Sequence, residues 1–300
     1  MCARTIPLLR RTGLALLVAT VSGSSLALAA GPAVAAPGAV SVSNGDIGAP
    51  CAPLTFCRFD PAGAPGVEVV DTPGAQSGDG YLRLSTPTAA DRAAVAMLGD
   101  GKLTLGELAA DPLAYRTFVE TPASSPTTAV PSFTIGILSR KVPYPDGTPQ
   151  FTGLVWEPVY TGATITPRTW QSWSPSGAAS GWWATRDVTS TGTVNRFGFA
   201  TYTASLQDVV AGVGADAVVT NIGVNQGRGP AGLVAGVDLL TFGGRTYDFE
   251  NPVTAKAITA TAGNAQSAAA GAAFPTRLAA TVTGGITRTR PVPNTPWCSR

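Results

Sequence analysis

The chain of 300 residues contains no histidine. That absence excludes histidine metal ligands, a Ser-His-Asp triad and a Cys-His dyad. Charge is also sparse: Asp, Glu, Lys and Arg make up 13% of the sequence, with 20 basic and 18 acidic residues. The basic residues form no cluster, which argues against nucleic acid or an anionic membrane as the main partner. Glutamate is confined to Glu68, Glu107, Glu120, Glu157 and Glu250. Asp248 and Glu250 form the one acid pair spaced two residues apart. Glycoside hydrolases on sandwich folds need two facing carboxylates, so this scarcity weighs against them. No stretch after Ala35 approaches the ~20 apolar residues that a membrane-spanning helix requires. No cofactor is expected.

Arg4, Arg10 and Arg11 precede the apolar run "GLALLVATVSGSSLALAA", and small residues stand at Ala33 and Ala35. This is the layout of a secretory signal peptide over residues 1–35, removed after Ala35. Removal takes three of the 20 basic residues and none of the 18 acidic ones, leaving 17 against 18, a net charge of −1. The mature chain is therefore expected to be extracellular. Cys2 leaves with the signal. In an oxidising compartment Cys51 and Cys57, closing the loop "CAPLTFC", are the expected disulfide, and Cys298 is the odd thiol.

From Ala39 onward the sequence alternates short runs of β-formers with turns, among them "GVEVVD", "GYLRLST", "YRTFVE", "SFTIGILS", "TGLVWEPVYTG", "RFGFATY", "DAVVTNIGV" and "GLVAGVDLLTFGG". The 35 glycines and 25 prolines, 60 residues together, suit many turns. Ten or so short strands predict an all-β sandwich. One helix is predicted at "TASLQDVVAGVG", with Thr203 or Ser205 as cap, Leu206, Val209 and Val210 as apolar stripe, and Gly214 as terminator. Pro252 marks a domain boundary, because residues 252–300 contain no acid and are rich in Ala and Thr.

Two motifs read as turns. "GDGKLTLGEL", residues 99–108, resembles the second half of an EF-hand loop. Placing Gly101 and Glu107 at positions 6 and 12 puts Ala96 and Leu98 where oxygen ligands are needed, so no calcium site is expected. The bland reading is a polar turn at Gly99–Gly101 followed by alternating Leu103 and Leu105 and an excursion to Leu108. "GRGPAG", Gly227–Gly232, matches G-x-G-x-x-G but carries Pro230 where a helix would open, so it reads as a turn with Arg228 at its tip.

The order "GYLRL", "GKLTLGEL", "TGLVWEPVYTG", "TWQSWSPSGAASGWWATR", "IGVNQGRG" and "VAGVDLLTFGGRTYDFE" resembles secreted actinobacterial β-sandwich modules of undefined role. Their jelly-roll shape is like that of concanavalin A and carbohydrate-binding modules. The resemblance implies a jelly roll over residues 36–251. "ITATAGNAQSAAAGAAFPTRLAATVTGG", followed by "PVPNTP", resembles the opening half of an invasin-type bacterial immunoglobulin-like repeat. The alternative is a low-complexity Ala/Thr tail.

Trp156, Tyr160, Trp170, Trp173, Trp182 and Trp183 fall within 28 residues. A flat ring can stack on the apolar face of a pyranose while Asn, Gln and Asp take its hydroxyls, so these six and Arg228 are the candidate ligand contacts. Any of them can instead be a packing ring. Adjacent Trp182 and Trp183 must face opposite sides of a strand. Glu157 stands alone among apolar residues, a setting that raises a carboxyl pKa. The expectation is a non-catalytic module that binds an extracellular polysaccharide or a cell-surface component. A secreted carbohydrate-active enzyme and a structural spacer are the alternatives.

Overall fold

The computed structural model describes residues 38–48, 50–59, 66–72, 74–141, 143–144, 146–186, 202–252, 255–263, 265–269, 273, 275–277, 279–284 and 289–291. The signal segment, Cys298 and nearly all of "RFGFATY" lie outside them. The described chain is all-β, with two large sheets and short helices.

The first sheet is built around β12 (Leu233–Phe242). β4 (Gly80–Thr86) and β13 (Arg245–Phe249) pair with successive halves of one edge of β12, and β6 (Ala114–Thr121) runs along the other. The two halves meet at Asp238–Leu239, where Leu239 takes a left-handed φ of 49° and the register shifts. β3 (Val67–Asp71) extends the sheet beyond β4, β9 (Trp170–Trp173) beyond β6, and β1 (Val40–Val42) lies parallel to β13. The second sheet has the order β10 (Trp182–Ala184), β8 (Gln150–Trp156), β7 (Ser132–Ser139), β11 (Val218–Gln226), β5 (Ala93–Leu98) and β2 (Phe56–Arg58). β14 (Ala255–Ala262), β15 (Ala279–Gly284) and β16 (Thr289–Pro291) form a separate three-stranded sheet.

The alternation in the sequence decides which side chains enter the core. Leu82 and Leu84 from β4, Tyr115 from β6, and Tyr247 and Phe249 from β13 are buried in one cluster with Phe133, Ile135 and Ile137 from β7 and with Leu154, Trp156 and Trp182. Trp182 is fully buried, and its indole N–H donates to the Pro175 carbonyl at 3.0 Å. Each such side chain contributes about 1.5–3 kcal/mol through burial.

The predicted helix is present as α3 (Leu206–Val213), capped by Ser205 and followed by Gly214 at φ 98°. Two further short helices accompany it, α1 (Asn44–Gly48) and α2 (Leu105–Ala110). α2 occupies a stretch expected to alternate. Its start is fixed by a reciprocal capping box in which the Glu107 backbone N–H donates to Thr104 Oγ1 and the Thr104 backbone N–H donates to Glu107 Oε2. Leu105 and Leu108, three apart, both reach the core, a spacing that suits one helical turn. Cys51 and Cys57 are disulfide-bonded, with Cα atoms 5.4 Å apart.

Candidate functional site

The outward face of the second sheet forms an open groove of about 740 Å³. Strand pairing places Cys57, Ala96, Gly223, Thr134, Val155 and Trp183 in one row that crosses every strand. A neighbouring row runs Leu98, Asn221, Gly136 and Gly153, and the Gly153 carbonyl accepts from the Thr185 N–H at 2.8 Å. Small residues dominate both rows, so the floor lies close to the backbone. Glycines in mid-strand mark such close approaches.

Larger side chains stand around this floor. Phe59, Phe151 and Tyr160 line the groove and are exposed, at 37%, 38% and 39%. An exposed large apolar ring in a concavity is a ligand-facing feature. Tyr160 stacks face to face on Tyr202, with ring centroids 3.4 Å apart, and Trp183 meets Tyr202 edge-on at 6.3 Å. Glu157 precedes the 3-10 turn Pro158–Thr161, and its Oε2 accepts from the Trp183 indole N–H at 3.0 Å. Burial pushes the Glu157 pKa up, and the indole hydrogen bond partly offsets this. Gly181, at φ 100°, permits the chain to enter β10 here, because a Cβ would lie 2.8 Å from Trp156 Nε1. At the far end Arg92 Nε donates to Asn225 Oδ1 at 3.0 Å, and Arg228 is exposed on the turn after β11.

Of the seven candidates, Tyr160, Trp183 and Arg228 line this groove. Trp156 and Trp182 lie in the interior, 2% and 0% exposed. Trp173 packs against the core, 6.5 Å from Trp156, and donates to Thr117 Oγ1. Trp170 lies on the other sheet beside Tyr81 and Phe118. The groove residues that sequence reasoning passed over are Phe59, Phe151, Arg92, Asn221 and Asn225, with Tyr202 backing Tyr160. The signal for them was the glycines inside "SFTIGILS", "FTGLVW" and "TNIGVN", which mark a floor rather than a packed face.

A second polar centre is sealed inside the first sheet. Asp238 and Asp248 are 0% and 1% exposed, and Ser77 donates to both carboxyls. Asp238 accepts from the Ser77, Leu239 and Phe249 N–H groups, and Asp248 Oδ2 accepts from the Ser77 hydroxyl at 2.9 Å. Glu250 accepts from the Asp79 N–H at 2.9 Å and lies against Gly78. Burial first, and then the neighbouring Asp248, raise the Asp238 pKa to about 8; burial raises that of Glu250 to about 7. Among the described residues no group of three or more His, Cys, Asp or Glu is placed to hold a metal ion, and no helix is long and apolar enough to cross a membrane.

No protein-family model, curated protein or solved structure matches this chain.

Proposed function

We propose that the protein is a secreted, non-catalytic binding module that holds an extended carbohydrate chain across the outer face of the second sheet, in the manner of jelly-roll carbohydrate-binding modules. One observation carries the reading: exposed and half-exposed rings, Tyr160, Trp183, Phe151 and Phe59, stand beside the amides of Asn221 and Asn225 over a floor of glycine, alanine and threonine. Rings supply apolar stacking surface, amides satisfy hydroxyls, and a low floor admits a bulky polymer. The disulfide supports passage through an oxidising compartment.

The groove is poorly equipped for two-acid glycoside hydrolysis. Among the described residues lining it, Glu157 is the one carboxylate, and its Oε2 is engaged by Trp183. The acids that do meet, Asp238 and Asp248, are buried away from any reacting group. The three-stranded sheet over residues 255–291 fits the role of an immunoglobulin-like spacer.

The test is a glycan array probed with the intact protein and with Trp183→Ala. Binding to a defined set of polysaccharides that the variant loses supports the reading. Absence of any glycan signal, or signal unchanged in the variant, overturns it.

A further inference from the structure

The groove is asymmetric in charge along its length, and this bears on which carbohydrate it takes. Among the described lining residues the charged groups are Arg92, Glu157 and Arg228. Glu157 sits at the Trp183 end, with one carboxylate oxygen committed to the indole N–H. Arg92 sits on Asn225 at the other end, and Arg228 lines the groove from the turn that follows β11. Neither arginine forms an ion pair with a described residue. Arg92 is held by its Nε bond to Asn225, which fixes its guanidinium while leaving the terminal nitrogens as donors.

The distance between the two ends follows from the pairing. Trp183 on β10 and Asn225 on β11 are separated by β8 and β7, which is three strand spacings. At about 4.8 Å per spacing, the ends lie roughly 14 Å apart across the sheet. That is the span of a short oligosaccharide rather than of one ring. One end therefore offers aromatic faces and the other offers two guanidinium forks over a floor without acids.

Resting on the carbohydrate reading of the groove, we infer that its ligand is an acidic polysaccharide of the hexuronate class. One sugar stacks at Trp183 and Tyr160 while the carboxylate of a ring further along is held by Arg92 and Arg228. Guanidinium and carboxylate match as planar, two-point partners. A neutral polymer would leave both arginines without a counter-charge. Asn225 contributes by holding Arg92 in position.

The experiment uses the intact protein and a panel of uronate oligomers, namely galacturonate, mannuronate, guluronate and glucuronate-containing chains. Each is paired with its carboxyl-reduced neutral counterpart and read by calorimetry at low and high salt. At least one uronate is expected to bind about tenfold or more tightly than its reduced form, with the advantage shrinking as salt rises. Arg92→Gln combined with Arg228→Gln should erase that advantage while leaving the melting temperature unchanged. Equal binding of acid and reduced forms overturns the acidic assignment but leaves the groove reading intact. A preference for sulfated over carboxylated oligomers, added as a third arm, overturns the carboxylate assignment in the same way. If no oligomer in either form binds, the groove reading itself fails and this inference falls with it.

Discussion

The two large sheets share the same pleat and the same alternation, yet their outer faces are built in opposite ways. On the first sheet Tyr81, Phe118 and Trp170 pack against one another, with centroids 5.6 Å apart for Tyr81 and Trp170 and 5.4 Å for Phe118 and Trp170. They cover Gly236, whose Cβ position would be 2.7 Å from the Tyr81 ring. Arg83 bridges Glu68 and Glu120 beside them at 3.2 and 3.1 Å. On the second sheet the equivalent positions are Ala96, Gly223, Thr134, Gly136 and Gly153, and the rings stand at the margins. Aromatic residues close a face when they meet over glycine and open one when glycine separates them. Ring count in a sequence is therefore a poor guide to ligand contact; what matters is which side chains share the face.

The adjacent pair Trp182 and Trp183 gives the sharpest way to break this contrast, since one backbone step separates interior from groove. Trp182→Ala removes the largest fully buried side chain and should cost about 3–5 kcal/mol of stability, measured by urea unfolding. Trp183→Ala should cost less stability, about 1–2 kcal/mol for the lost hydrogen bond to Glu157, and weaken carbohydrate binding by about 2 kcal/mol, roughly thirtyfold. If the two variants show the same phenotype, the separation of faces is wrong. Trp170→Ala supplies the mirror case: it should lower stability by breaking the Tyr81–Phe118 cluster and leave glycan binding at the level of the parent.

A smaller effect comes from the acids sealed inside the first sheet. The Asp238 pKa of about 8 lies above the value of about 4 expected for an unfolded carboxyl, so the folded chain holds this proton more tightly than the unfolded one. Stability is then greatest below about pH 4 as far as this group is concerned, and it declines as pH rises toward about 8. Glu250 acts in the same direction over the window up to about 7. Asp248→Asn removes the like charge beside Asp238 and should flatten the loss of melting temperature between pH 5 and pH 8. Parallel losses in both proteins would show that the pair is not coupled.

Much of the sandwich was legible because its strands alternate cleanly. "GYLRLST" and "SFTIGILS" send Leu82 and Leu84, and Phe133, Ile135 and Ile137, into the core as their pattern requires, and α3 carries its cap, stripe and terminating glycine in sequence order. α2 was not legible as a helix from its leucines alone, since Leu103, Leu105 and Leu108 fit two periods at once. The decisive signal was Thr104 three residues before Glu107, a capping box hidden inside an apparent metal motif. Half of the candidate site escaped for a different reason. Arg92, Phe151 and Asn225 come from strands far apart in sequence, and only the order β8, β7, β11, β5 brings them to one face.

The smallest effect is expected from removing the third sheet, and it sets the two large sheets against the third within the same chain. The sandwich ends in tight local ties: the Glu250 N–H donates to the Val42 carbonyl at 2.9 Å, and the Asn251 side chain donates to the Val69 carbonyl at 3.0 Å while accepting from Asn44 Nδ2 at 3.1 Å. These bonds fasten β1 and β3 to the end of β13. Beyond them β14–β16 pair among themselves and with none of the described strands of the two large sheets. A chain ending at Asn251 keeps every one of those ties, together with the whole core cluster. Its melting temperature should fall by no more than about 2–4 °C, the shift that roughly 1 kcal/mol produces in a domain of this size. Carbohydrate affinity should match that of the full protein. Unfolding of the shortened chain would mean that the tail completes the sandwich and that the boundary at Pro252 is misplaced. Retained folding with lost binding would instead put part of the ligand site in the tail.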